Sequence, residues 1–419
     1  MARFSSVFRK FDMTSFVIVG AGECGARAAF ALREKGFDGS LILIGSELHL
    51  PYERPTLSKD FLADGGDTKL VAEPERYIDA GIDLLLGRTV LQIERCAKRV
   101  LLADGTVVPY DKLLLATGAS ARSLPGIYFG ERVLALRGRD DAARIRAHLV
   151  EGSRIAIIGG GFIGLELAAS ARKRGADVTL MEGSSRVLTR GVPEQIAEVI
   201  ARRHDEEGVK ILCGVRVTAT EERANGVRIS LEDGRVVDAD LLIVGVGAVP
   251  NANLAETAGL LVENGIAVDE HLRTSDPDIF AAGDCASCPL MLYDGRRIRL
   301  ESWRNAQEQG QLAATNMLGG GIAHAAVPWF WSDQYDMTLQ IAGLADGAVS
   351  IVRRDLAGDA FILFHLDAGG RLIAASGLGP GNKVARDIRL AEMLIAARIH
   401  PNPDELASPD AKLKNMLAA

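Results

Sequence analysis

The 419-residue sequence predicts an α/β protein made of two similar α/β domains followed by a smaller C-terminal α+β domain. Three observations carry this prediction. The length exceeds what one compact core needs and suggests about three domains. A glycine-rich strand–turn–helix pattern occurs twice. The C-terminal part instead contains short strand-like runs, separated by Asp-Gly and Gly-Gly turns and followed by one helix.

Each glycine-rich pattern begins with an apolar run that is typical of a buried strand and continues into an alanine-rich helix. A second apolar strand follows each copy, at Ser40–Ile44 and at Asp177–Met181. In this context the first glycine permits a tight turn, the second lets the backbone approach a pyrophosphate, and the third allows close packing of helix and strand. We therefore predict two Rossmann-like dinucleotide-binding domains. Their glycines are Gly20, Gly22 and Gly25 in the first copy, and Gly159, Gly161 and Gly164 in the second.

An acidic residue follows each copy at the end of the next strand, namely Glu47 and Glu182. An acid at this position accepts hydrogen bonds from an adenosine ribose. Two dinucleotides in one chain suggest one flavin and one nicotinamide. Glu182 would repel a 2′-phosphate, the neighbouring Gly183–Ser185 supply no cation, and Arg186 lies one step too far along to be the obvious reader. The sequence therefore favours NADH over NADPH.

Composition excludes several classes of function. The net charge of −7 gives no reason to expect nucleic acid or an anionic membrane as a partner. The apolar stretch Ile155–Ala171 is interrupted by four glycines and by Glu166, so we expect no membrane span. Five cysteines, odd in number and mostly far apart, argue against a disulfide scaffold and for a reducing cytoplasm. Residues 1–12 form a short basic arm without a signal-peptide core, and we expect that arm to be disordered.

Four further motifs extend the pattern along nearly the whole chain. They are Pro51–Lys59, Lys112–Gly118, Gly245–Asn251 and Thr274–Asp284. This set resembles the two-dinucleotide-binding flavoprotein superfamily. The resemblance implies that Asp284 binds the flavin ribitol. It also implies that Ala116, Thr117 and Gly118 form the crossover between an FAD domain and an NAD domain.

Three segments narrow the resemblance: Pro51–Lys59, Leu300–Gln309 and Val327–Asp336. Together they resemble the FAD-dependent NADH:ferredoxin reductases that serve cytochromes P450 and ring-hydroxylating dioxygenases. The run Pro328-Trp-Phe-Trp-Ser-Asp-Gln334 is the most specific of them. Thr56 departs from the family pattern, in which a second proline is common there. The resemblance implies hydride transfer from NADH to FAD, then single-electron transfer to a separate [2Fe–2S] ferredoxin. No four-cysteine cluster could hold an iron–sulfur centre in this chain, and we expect no metal site.

The implied architecture has an FAD domain in two pieces, residues 13–124 and 248–323, with an NAD domain of residues 125–247 inserted between them. Residues 324–419 form the C-terminal α+β domain, and we expect a monomer or weak dimer. In this last domain the strand-like runs are Thr338–Ile341, Ala348–Val352, Ala360–His365 and Leu372–Ala375, and the helix is Val384–Ile399.

Lys59, Glu166 and Trp331 are the candidate catalytic residues. The resemblance puts Lys59 beside the isoalloxazine ring and makes it the partner of Glu166. A carboxylate in the apolar run Ile163–Ala169 is costly if it is buried without a partner. The alternative is that Glu166 points to solvent, as most acids do. Trp331 is the better candidate for contact with the flavin, and Trp329 for the surface between flavin and protein partner, although both tryptophans could be core residues.

The remaining candidates are assigned to the cofactors by the fingerprints and by the resemblance together. Those expected to bind FAD are Gly20, Gly22, Gly25, Glu47, Arg54, Lys59, Ala116, Thr117, Gly118, Gly283, Asp284, Ser302, Trp303 and Trp331. Those expected to bind NAD are Gly159, Gly161, Phe162, Ile163, Gly164, Glu166, Glu182, Gly245, Val246 and Gly247.

Two other patterns have competing interpretations. Cys285-Ala-Ser-Cys288 could be a redox dithiol, but it follows Asp284, whereas disulfide reductases of this superfamily carry their dithiol elsewhere. We therefore expect no catalytic dithiol. A local basic run could steer an acidic ferredoxin to the flavin edge, or could be a solvated face. Its members are Arg296, Arg297, Arg299 and Arg304, with Lys383 and Arg386 at the start of the C-terminal helix.

Two other functions stay open at this point. The first is an NADH-dependent reductase of rubredoxin or of small molecules on the same scaffold. The second, from a different class, is a redox-sensing flavoprotein whose NADH-bound form binds a partner.

Overall fold

The computed structural model describes residues 14–417. The arm expected at residues 1–12, and Met13 after it, lie outside the described residues. Within residues 14–417, no helix is long and apolar enough to cross a membrane.

The strands are numbered in chain order. They are β1 Ser15–Val19, β2 Ser40–Ile44, β3 Asp83–Leu85, β4 Val90–Glu94, β5 Arg99–Leu102, β6 Val107–Pro109, β7 Lys112–Leu115, β8 Ala119–Ala121, β9 Val133–Leu134, β10 Arg154–Ile158, β11 Asp177–Glu182, β12 Lys210–Cys213, β13 Val217–Arg223, β14 Gly226–Leu231, β15 Val236–Ala239, β16 Leu241–Val244, β17 Ala248–Pro250, β18 Ile266–Ala267, β19 Ile279–Ala281, β20 Ala286–Leu290, β21 Arg296–Ile298, β22 Trp329–Gln334, β23 Met337–Gly343, β24 Ser350–Asp355, β25 Phe361–Leu366 and β26 Leu372–Pro380.

The α-helices are numbered in chain order in the same way. They are α1 Glu23–Glu34, α2 Asp60–Ala63, α3 Pro74–Asp79, α4 Arg139–His148, α5 Phe162–Lys173, α6 Glu194–Glu206, α7 Asn253–Thr257, α8 Trp303–Met317, α9 Ala385–Ala396 and α10 Pro403–Ala407.

The chain divides into two compact units. The first unit contains the described residues up to Glu53, then Leu70–Ala119 and Pro250–Ala325. The second unit contains Arg54–Lys69, Ser120–Val249 and the described residues from Ala326 onward. The nucleotide-binding insert and the C-terminal sheet thus belong to one compact unit, so these units do not correspond one to one to three domains. The domain boundaries drawn from the sequence therefore stay a prediction.

The first unit is built on a five-stranded parallel sheet in the order β19-β7-β1-β2-β3. The apolar run of β1 is almost completely buried, as expected for a central strand covered on both faces. Helix α1 packs against α8, and Gly310 of α8 lets the two helices approach closely: a Cβ there would lie 2.5 Å from the Cys24 carbonyl oxygen. Two small three-stranded sheets, β4-β5-β6 and β18-β20-β21, complete the unit.

The second unit repeats this plan with a parallel sheet in the order β12-β11-β10-β16-β9. The central strand β10 leads into α5, just as β1 leads into α1. An antiparallel meander, β13-β14-β15, adds an apolar cluster around Ile229. The predicted α/β class with two Rossmann-like sheets is confirmed.

The C-terminal part of the second unit is a five-stranded antiparallel sheet in the order β22-β23-β26-β25-β24. Helix α9 buries Ile388, Leu394 and Ile395, and Gly377 of β26 lies close enough for a Cβ there to touch Ile388. The predicted α+β class of this part is confirmed. Strand β22 adds to the four runs expected from the sequence, because its mixed polar and aromatic residues do not show a simple strand alternation.

Candidate functional site

The first glycine-rich turn leaves one open position between two crowded ones. Gly20 has φ +115°, and a Cβ there would lie 2.1 Å from the Ala116 carbonyl oxygen. A Cβ at Gly25 would lie 1.9 Å from the Gly20 carbonyl oxygen, whereas a Cβ at Gly22 would meet nothing within 4 Å. Gly22 also caps the N-terminus of α1. The open space in front of a helix N-terminus is the shape that a dinucleotide pyrophosphate requires.

The first glycine-rich turn follows β1, and five other positions predicted for FAD follow the carboxyl ends of β7 and β19. These strands are parallel neighbours, so their carboxyl ends meet at one edge of the sheet. Ala116, Thr117 and Gly118 follow β7, and Gly283 and Asp284 follow β19. Gln309 of α8 accepts a hydrogen bond from the Gly283 backbone N–H at 2.8 Å, which fixes the turn that carries Asp284.

The crossover segment is held by a reciprocal pair of hydrogen bonds. The Thr117 hydroxyl donates to the Asn251 carbonyl oxygen at 2.7 Å, and the Asn251 amide donates to the Thr117 carbonyl oxygen at 2.9 Å. Glu47 accepts a hydrogen bond from the Tyr52 hydroxyl at 2.7 Å. Ser302 caps α8 by accepting from the Asn305 backbone N–H at 3.2 Å, which sets the direction in which Trp303 leaves the helix start.

The second glycine-rich turn has the same geometry. Gly159 has φ +109°, and a Cβ there would lie 2.3 Å from the Gly245 carbonyl oxygen. A Cβ at Gly164 would lie 2.0 Å from the Gly159 carbonyl oxygen, and one at Gly161 would meet nothing within 4 Å. Gly245, Val246 and Gly247 follow β16, the parallel neighbour of β10. The second unit therefore also contains a cradle that fits a dinucleotide.

Glu182 is fixed beside the second cradle by two backbone donors. Its carboxylate accepts from the Gly160 N–H at 2.6 Å and from the Ser184 N–H at 2.7 Å. Arg186 is turned away from this role, because its guanidinium donates to the carbonyl oxygens of Val187, Leu188 and Val192. Of Glu182 and Arg186, the two candidates for contact with the ribose of the nucleotide or its 2′-phosphate, only Glu182 has its charged group at the end of β11.

The structure brings Lys59 and Glu166 together in the second unit. Lys59 Nζ lies 3.4 Å from Glu166 Oε1, and the Glu166 side chain is only 4% exposed. The alternative that Glu166 points to solvent is therefore wrong. Two hydroxyls complete the shell of the carboxylate: Ser58 donates to Oε2 at 2.5 Å and Ser332 donates to Oε1 at 2.6 Å.

Burial raises the pKa of Glu166 above its ordinary value, while the positive charge of Lys59 and the hydroxyls of Ser332 and Ser58 oppose that increase. A carboxylate buried this deeply needs such a complete set of partners. Without them, removing the charged group from water would destabilise the folded protein by an amount on the order of several kcal/mol. The four side chains thus form one electrostatic unit.

Residues on both faces of strand β22 lie in or beside this group of side chains around Glu166. Phe330 packs on Phe162 with ring centroids 4.3 Å apart, and Ser332 contacts Glu166, one helical turn further along α5. On the alternate positions, Trp329 and Trp331 stack with centroids 5.4 Å apart.

Trp331 also contacts the lysine. Lys59 Nζ lies 5.1 Å from the centroid of the Trp331 ring, within the range of a cation–π interaction. The Trp331 indole N–H donates to Asp333 at 2.9 Å, and Asp333 lies 3.8 Å from Lys59 Nζ. The three candidate catalytic residues, Lys59, Glu166 and Trp331, therefore form one contiguous cluster.

Other predicted residues lie elsewhere. Arg54 begins a 3-10 turn in the second unit, where it donates to the Arg137 carbonyl oxygen at 2.7 Å. Ile163, at the start of α5, is 46% exposed. Arg54, Lys59 and Trp331 belong to the second unit, whereas the other residues predicted for FAD belong to the first.

The two cysteines of the Cys285-Ala-Ser-Cys288 motif have separate surroundings. The Cys285 thiol donates to the carbonyl oxygens of Leu115 and Ala282, at 3.4 Å and 3.3 Å. The Cys288 thiol lies 3.9 Å from His324 Nδ1. Both are free thiols. Burial raises the pKa of Cys285, and it raises the pKa of Cys288 to about 12. Neither thiol has the lowered pKa of a reactive dithiol.

The arginines of the basic run make local ion pairs. Arg297 lies 3.6 Å from Glu263, Arg304 donates to Glu308 at 2.8 Å, and Arg299 pairs with Glu301. Arg297 also donates to the carbonyl oxygens of Val268 and Ser287. These contacts are what a structural role requires, and the idea that the run docks a partner stays a prediction.

Sequence reasoning missed several residues of the cluster. Ser58 and Ser332 lie within the motifs Pro51–Lys59 and Val327–Asp336. Their positions directly next to Lys59 and Trp331 could have indicated that they belong to the site. Asp333 and Gln334 share that motif. His204, which joins the cluster through Gln334, lies in α6 and carries no motif.

Comparison with known proteins agrees with this geometry. The pyridine nucleotide-disulphide oxidoreductase family matches residues 14–310, and the reductase C-terminal family matches residues 329–417. The ferredoxin–NAD(+) reductase component of the anthranilate 1,2-dioxygenase system of Burkholderia cepacia is 45% identical over 408 residues, 96% of this chain and 99% of that protein. Putidaredoxin reductase of Pseudomonas putida is 38% identical over 415 residues, 96% of each chain.

A solved structure, the covalent complex of putidaredoxin reductase with putidaredoxin, matches with a TM-score of 0.91 and 37% identity. The match covers 97% of this chain and 98% of that one. The chain belongs to the pyridine nucleotide-disulphide oxidoreductase family, among the members that carry the reductase C-terminal domain.

Proposed function

We propose that this protein is an FAD-dependent NADH:ferredoxin oxidoreductase that supplies electrons, through a [2Fe–2S] ferredoxin, to a cytochrome P450 or a ring-hydroxylating oxygenase. One relative is named as a ferredoxin–NAD(+) reductase component and another as putidaredoxin reductase, and a solved structure that this chain matches is a covalent complex of putidaredoxin reductase with putidaredoxin. These relatives match over nearly their full length, which supports the same function for the whole chain.

The observation that carries the proposal is the cluster that Lys59 and Trp331 form with the buried Glu166. Glu166 lies one turn inside the helix that starts at the second cradle, and Ser332 and Trp331 come from the C-terminal sheet. The cluster therefore joins the helix at the second cradle to the part of the chain that matches the reductase C-terminal family.

When bound, FAD accepts a hydride from NADH and gives up its two electrons one at a time, which is the chemistry that one-electron ferredoxins need. Gly20, Gly22 and Gly25 would hold its pyrophosphate, Glu47 its adenosine ribose and Asp284 its ribitol. Lys59 would supply a positive charge at the site, Glu166 would hold that charge in place, and the Trp331 ring would cover one side of the lysine. A fixed cation stabilises negative charge that develops near it.

Gly159, Gly161 and Gly164 would hold the pyrophosphate of NADH, with Gly245, Val246 and Gly247 at the neighbouring strand end. Glu182 would accept hydrogen bonds from the adenosine ribose and repel a 2′-phosphate. We also propose the domain boundaries given above, with the FAD domain at residues 13–124 and 248–323 and the NAD domain at residues 125–247. The reducing cytoplasm is the proposed location, since NADH is available there and the five cysteines are free thiols.

Cytochrome c reduction tests the electron acceptor. The FAD-loaded protein is mixed with NADH and cytochrome c, either alone, with each of several [2Fe–2S] ferredoxins, or with rubredoxin. Ferricyanide serves as a control, because it reports flavin reduction without a protein acceptor. We expect cytochrome c reduction to depend on a [2Fe–2S] ferredoxin and to be slow with rubredoxin.

The alternatives predict other results. A rubredoxin or small-molecule reductase would reduce cytochrome c in the mixtures that contain no [2Fe–2S] ferredoxin. A redox sensor would show negligible turnover with every carrier, together with NADH-dependent binding of a partner. Either result would contradict the proposed function.

A further inference from the structure

A continuous series of hydrogen bonds links Glu166 to His204 of α6 and to Tyr335 after β22, all within the second unit. Ser332 Oγ donates to Glu166 Oε1 at 2.6 Å, and Gln334 Nε2 donates to Ser332 Oγ at 3.1 Å. Gln334 Oε1 lies 2.8 Å from His204 Nε2. His204 Nδ1 lies 3.3 Å from the Tyr335 hydroxyl. None of these contacts beyond Glu166 belongs to either dinucleotide cradle.

The direction of each bond follows from its neighbour. The Gln334 amide nitrogen donates to Ser332, so its carbonyl oxygen faces His204 and must accept. The His204 ring therefore carries its proton on Nε2, and Nδ1 accepts from the Tyr335 hydroxyl. Ser332 accepts from Gln334, which leaves its own hydrogen for Glu166. Every donor in the chain points toward the carboxylate.

Such a chain acts by polarisation and not by proton transfer. Hydroxyl and imidazole groups can pass protons along, but the Gln334 amide in the middle has no proton that it readily gives up. A series of aligned donors instead polarises each successive bond toward the anion at its end. In this series of hydrogen bonds, the alignment of the donors stabilises the negative charge of the Glu166 carboxylate.

The chain is deeply buried, so its bonds are strong and a missing partner would be costly. The residues are 4% exposed at Glu166, 1% at Ser332, 5% at Gln334 and 0% at His204. Burial also lowers the pKa of His204, which keeps its ring neutral. A protonated ring would place a donor against the Tyr335 hydroxyl and reverse that bond.

The outer end of the chain shows local strain. Tyr335 has φ +56°, in the left-handed region that bulky residues rarely adopt. In that conformation its ring lies edge-on to His204, with centroids 5.0 Å apart, and Arg203 lies 5.3 Å from the ring centroid. Arg203 is in turn paired with Asp336 at 3.1 Å and with Glu207 at 2.7 Å. The two-residue turn between β22 and β23 requires a positive φ of this kind, and here it places the tyrosine ring beside His204.

We propose that Ser332, Gln334 and His204 are positioning residues that act on Glu166 as a directional hydrogen-bond relay, fixing its charge and rotamer and thereby the place of Lys59. This inference rests on the proposed function, since it assigns a role in flavin reduction by NADH. It adds residues outside both cradles to that reaction. It also makes α6 of the nucleotide-binding insert and β22 of the C-terminal sheet parts of one electrostatic device.

The first test uses flavin reduction by NADH in stopped flow, which requires no ferredoxin. Gln334→Met keeps the volume but removes the relay, and Ser332→Ala removes its last donor. We expect each variant to lower the reduction rate at saturating NADH by about tenfold, with little change in the Kd for NADH. Gln334→Glu, which places a second acid next to Ser332, should be at least as slow.

Ser376→Ala is the matched control. Ser376 is 1% exposed and its hydroxyl lies 3.2 Å from His365 Nε2, so this variant breaks a buried hydroxyl–histidine bond in the same sheet that does not lead to Glu166. It should reduce its flavin at the wild-type rate. Wild-type rates in Gln334→Met and Ser332→Ala, or equal slowing in Ser376→Ala, would overturn the relay.

The second test reads the relay without any turnover. In ¹⁵N-histidine-labelled holoenzyme, with His204 assigned by its loss in His204→Gln, the ring should show the neutral Nε2–H tautomer at about pH 7. Its shifts should change in Ser332→Ala but not in Ser376→Ala. An Nδ1–H or protonated His204 ring would overturn the inference even if a variant failed to fold. A wild-type flavin that NADH does not reduce would instead contradict the proposed function, and the tautomer would still decide whether the relay exists.

Discussion

Lys59 Nζ lies 3.4 Å from Glu166 Oε1, and this ion pair joins a lysine at the start of α2 to a carboxylate buried on α5. Lys59 is 17% exposed and Glu166 is 4% exposed. Removing either member leaves the other charge without its main partner in a desolvated place. The two residues should therefore behave as one unit in any measurement of the site.

A double-mutant cycle tests that coupling. Lys59→Met and Glu166→Gln preserve side-chain volume while removing one charge each. We expect each single variant to slow flavin reduction at saturating NADH by tenfold or more, and the double variant to be less impaired than the product of the two effects. Strictly multiplicative effects, or single variants that reduce at the wild-type rate, would show that the pair is not coupled at the active site.

Nucleotide preference depends on Glu182. The wild-type ratio of kcat/KM for NADH over NADPH should exceed about 10, because a carboxylate beside a 2′-phosphate repels it. Glu182→Gln should lower this ratio by about tenfold, mainly by improving NADPH. Arg186→Ala is the control and should leave the ratio unchanged, since its guanidinium already binds three backbone carbonyl oxygens. A wild-type enzyme that uses both nucleotides equally well would refute the assignment of Glu182.

The two glycine-rich turns predict separable losses of cofactor binding. Gly22 has φ −94° and open space at its Cβ position, so Gly22→Val should fold and bind FAD at least about tenfold more weakly. Gly161→Val should weaken binding of NADH while leaving the flavin in place. Titration of the apoprotein with FAD, and of the holoprotein with NAD⁺, measures both effects. An unchanged FAD affinity in Gly22→Val would mean that the first cradle does not hold the pyrophosphate.

Gly20→Ala should lower the thermal stability of the protein, in contrast to Gly22→Val. Its Cβ would lie 2.1 Å from the Ala116 carbonyl oxygen in a backbone conformation with φ +115°. This variant should lose thermal stability even without FAD, whereas apo Gly22→Val should unfold near the wild-type temperature. The comparison separates a glycine needed for backbone approach from one needed for ligand space.

Buried histidines make stability depend on pH. Burial lowers the pKa of His365 from 6.5 to about 4, and it lowers the pKa of His204 and His324 in the same direction. The unfolded chain binds protons below about pH 6.5 that the folded chain does not, so the free energy of unfolding falls as the pH drops from 6.5 toward 4. His365 alone accounts for about 3 kcal/mol of that fall.

Urea unfolding of the holoprotein at several pH values between these limits measures the effect. His365→Gln should flatten the dependence, whatever it does to stability at neutral pH. If the variant and the wild type lose stability equally steeply on acidification, His365 is not buried in its neutral form.

The doubled Rossmann-like plan could be predicted from sequence because the physical requirement is local. Gly20 and Gly159 follow apolar strands directly, and their need for positive φ is visible in the residue type. The pairing of Lys59 with Glu166 came from family resemblance combined with the cost of burying an unpaired acid.

The relay around His204 could not be found in this way. It depends on the register of β22, which places Ser332 and Gln334 on one face, and on the tertiary contact between His204 of α6 and Gln334. Neither is encoded in a short motif. For the arginines from Arg296 to Arg304, the sequence pattern was visible but the contacts were not. The run reads as a basic surface, yet three of its side chains form ion pairs with Glu263, Glu301 and Glu308.

The most direct test of the central claim is an anaerobic titration of the FAD-loaded protein and an excess of [2Fe–2S] ferredoxin with NADH. Bleaching of the iron–sulfur absorbance counts the electrons that reach the acceptor. The account predicts two ferredoxins reduced for each NADH consumed, with one proton released, and much less reduction in Lys59→Met over the same time. Consumption of NADH without reduction of any [2Fe–2S] ferredoxin would contradict it.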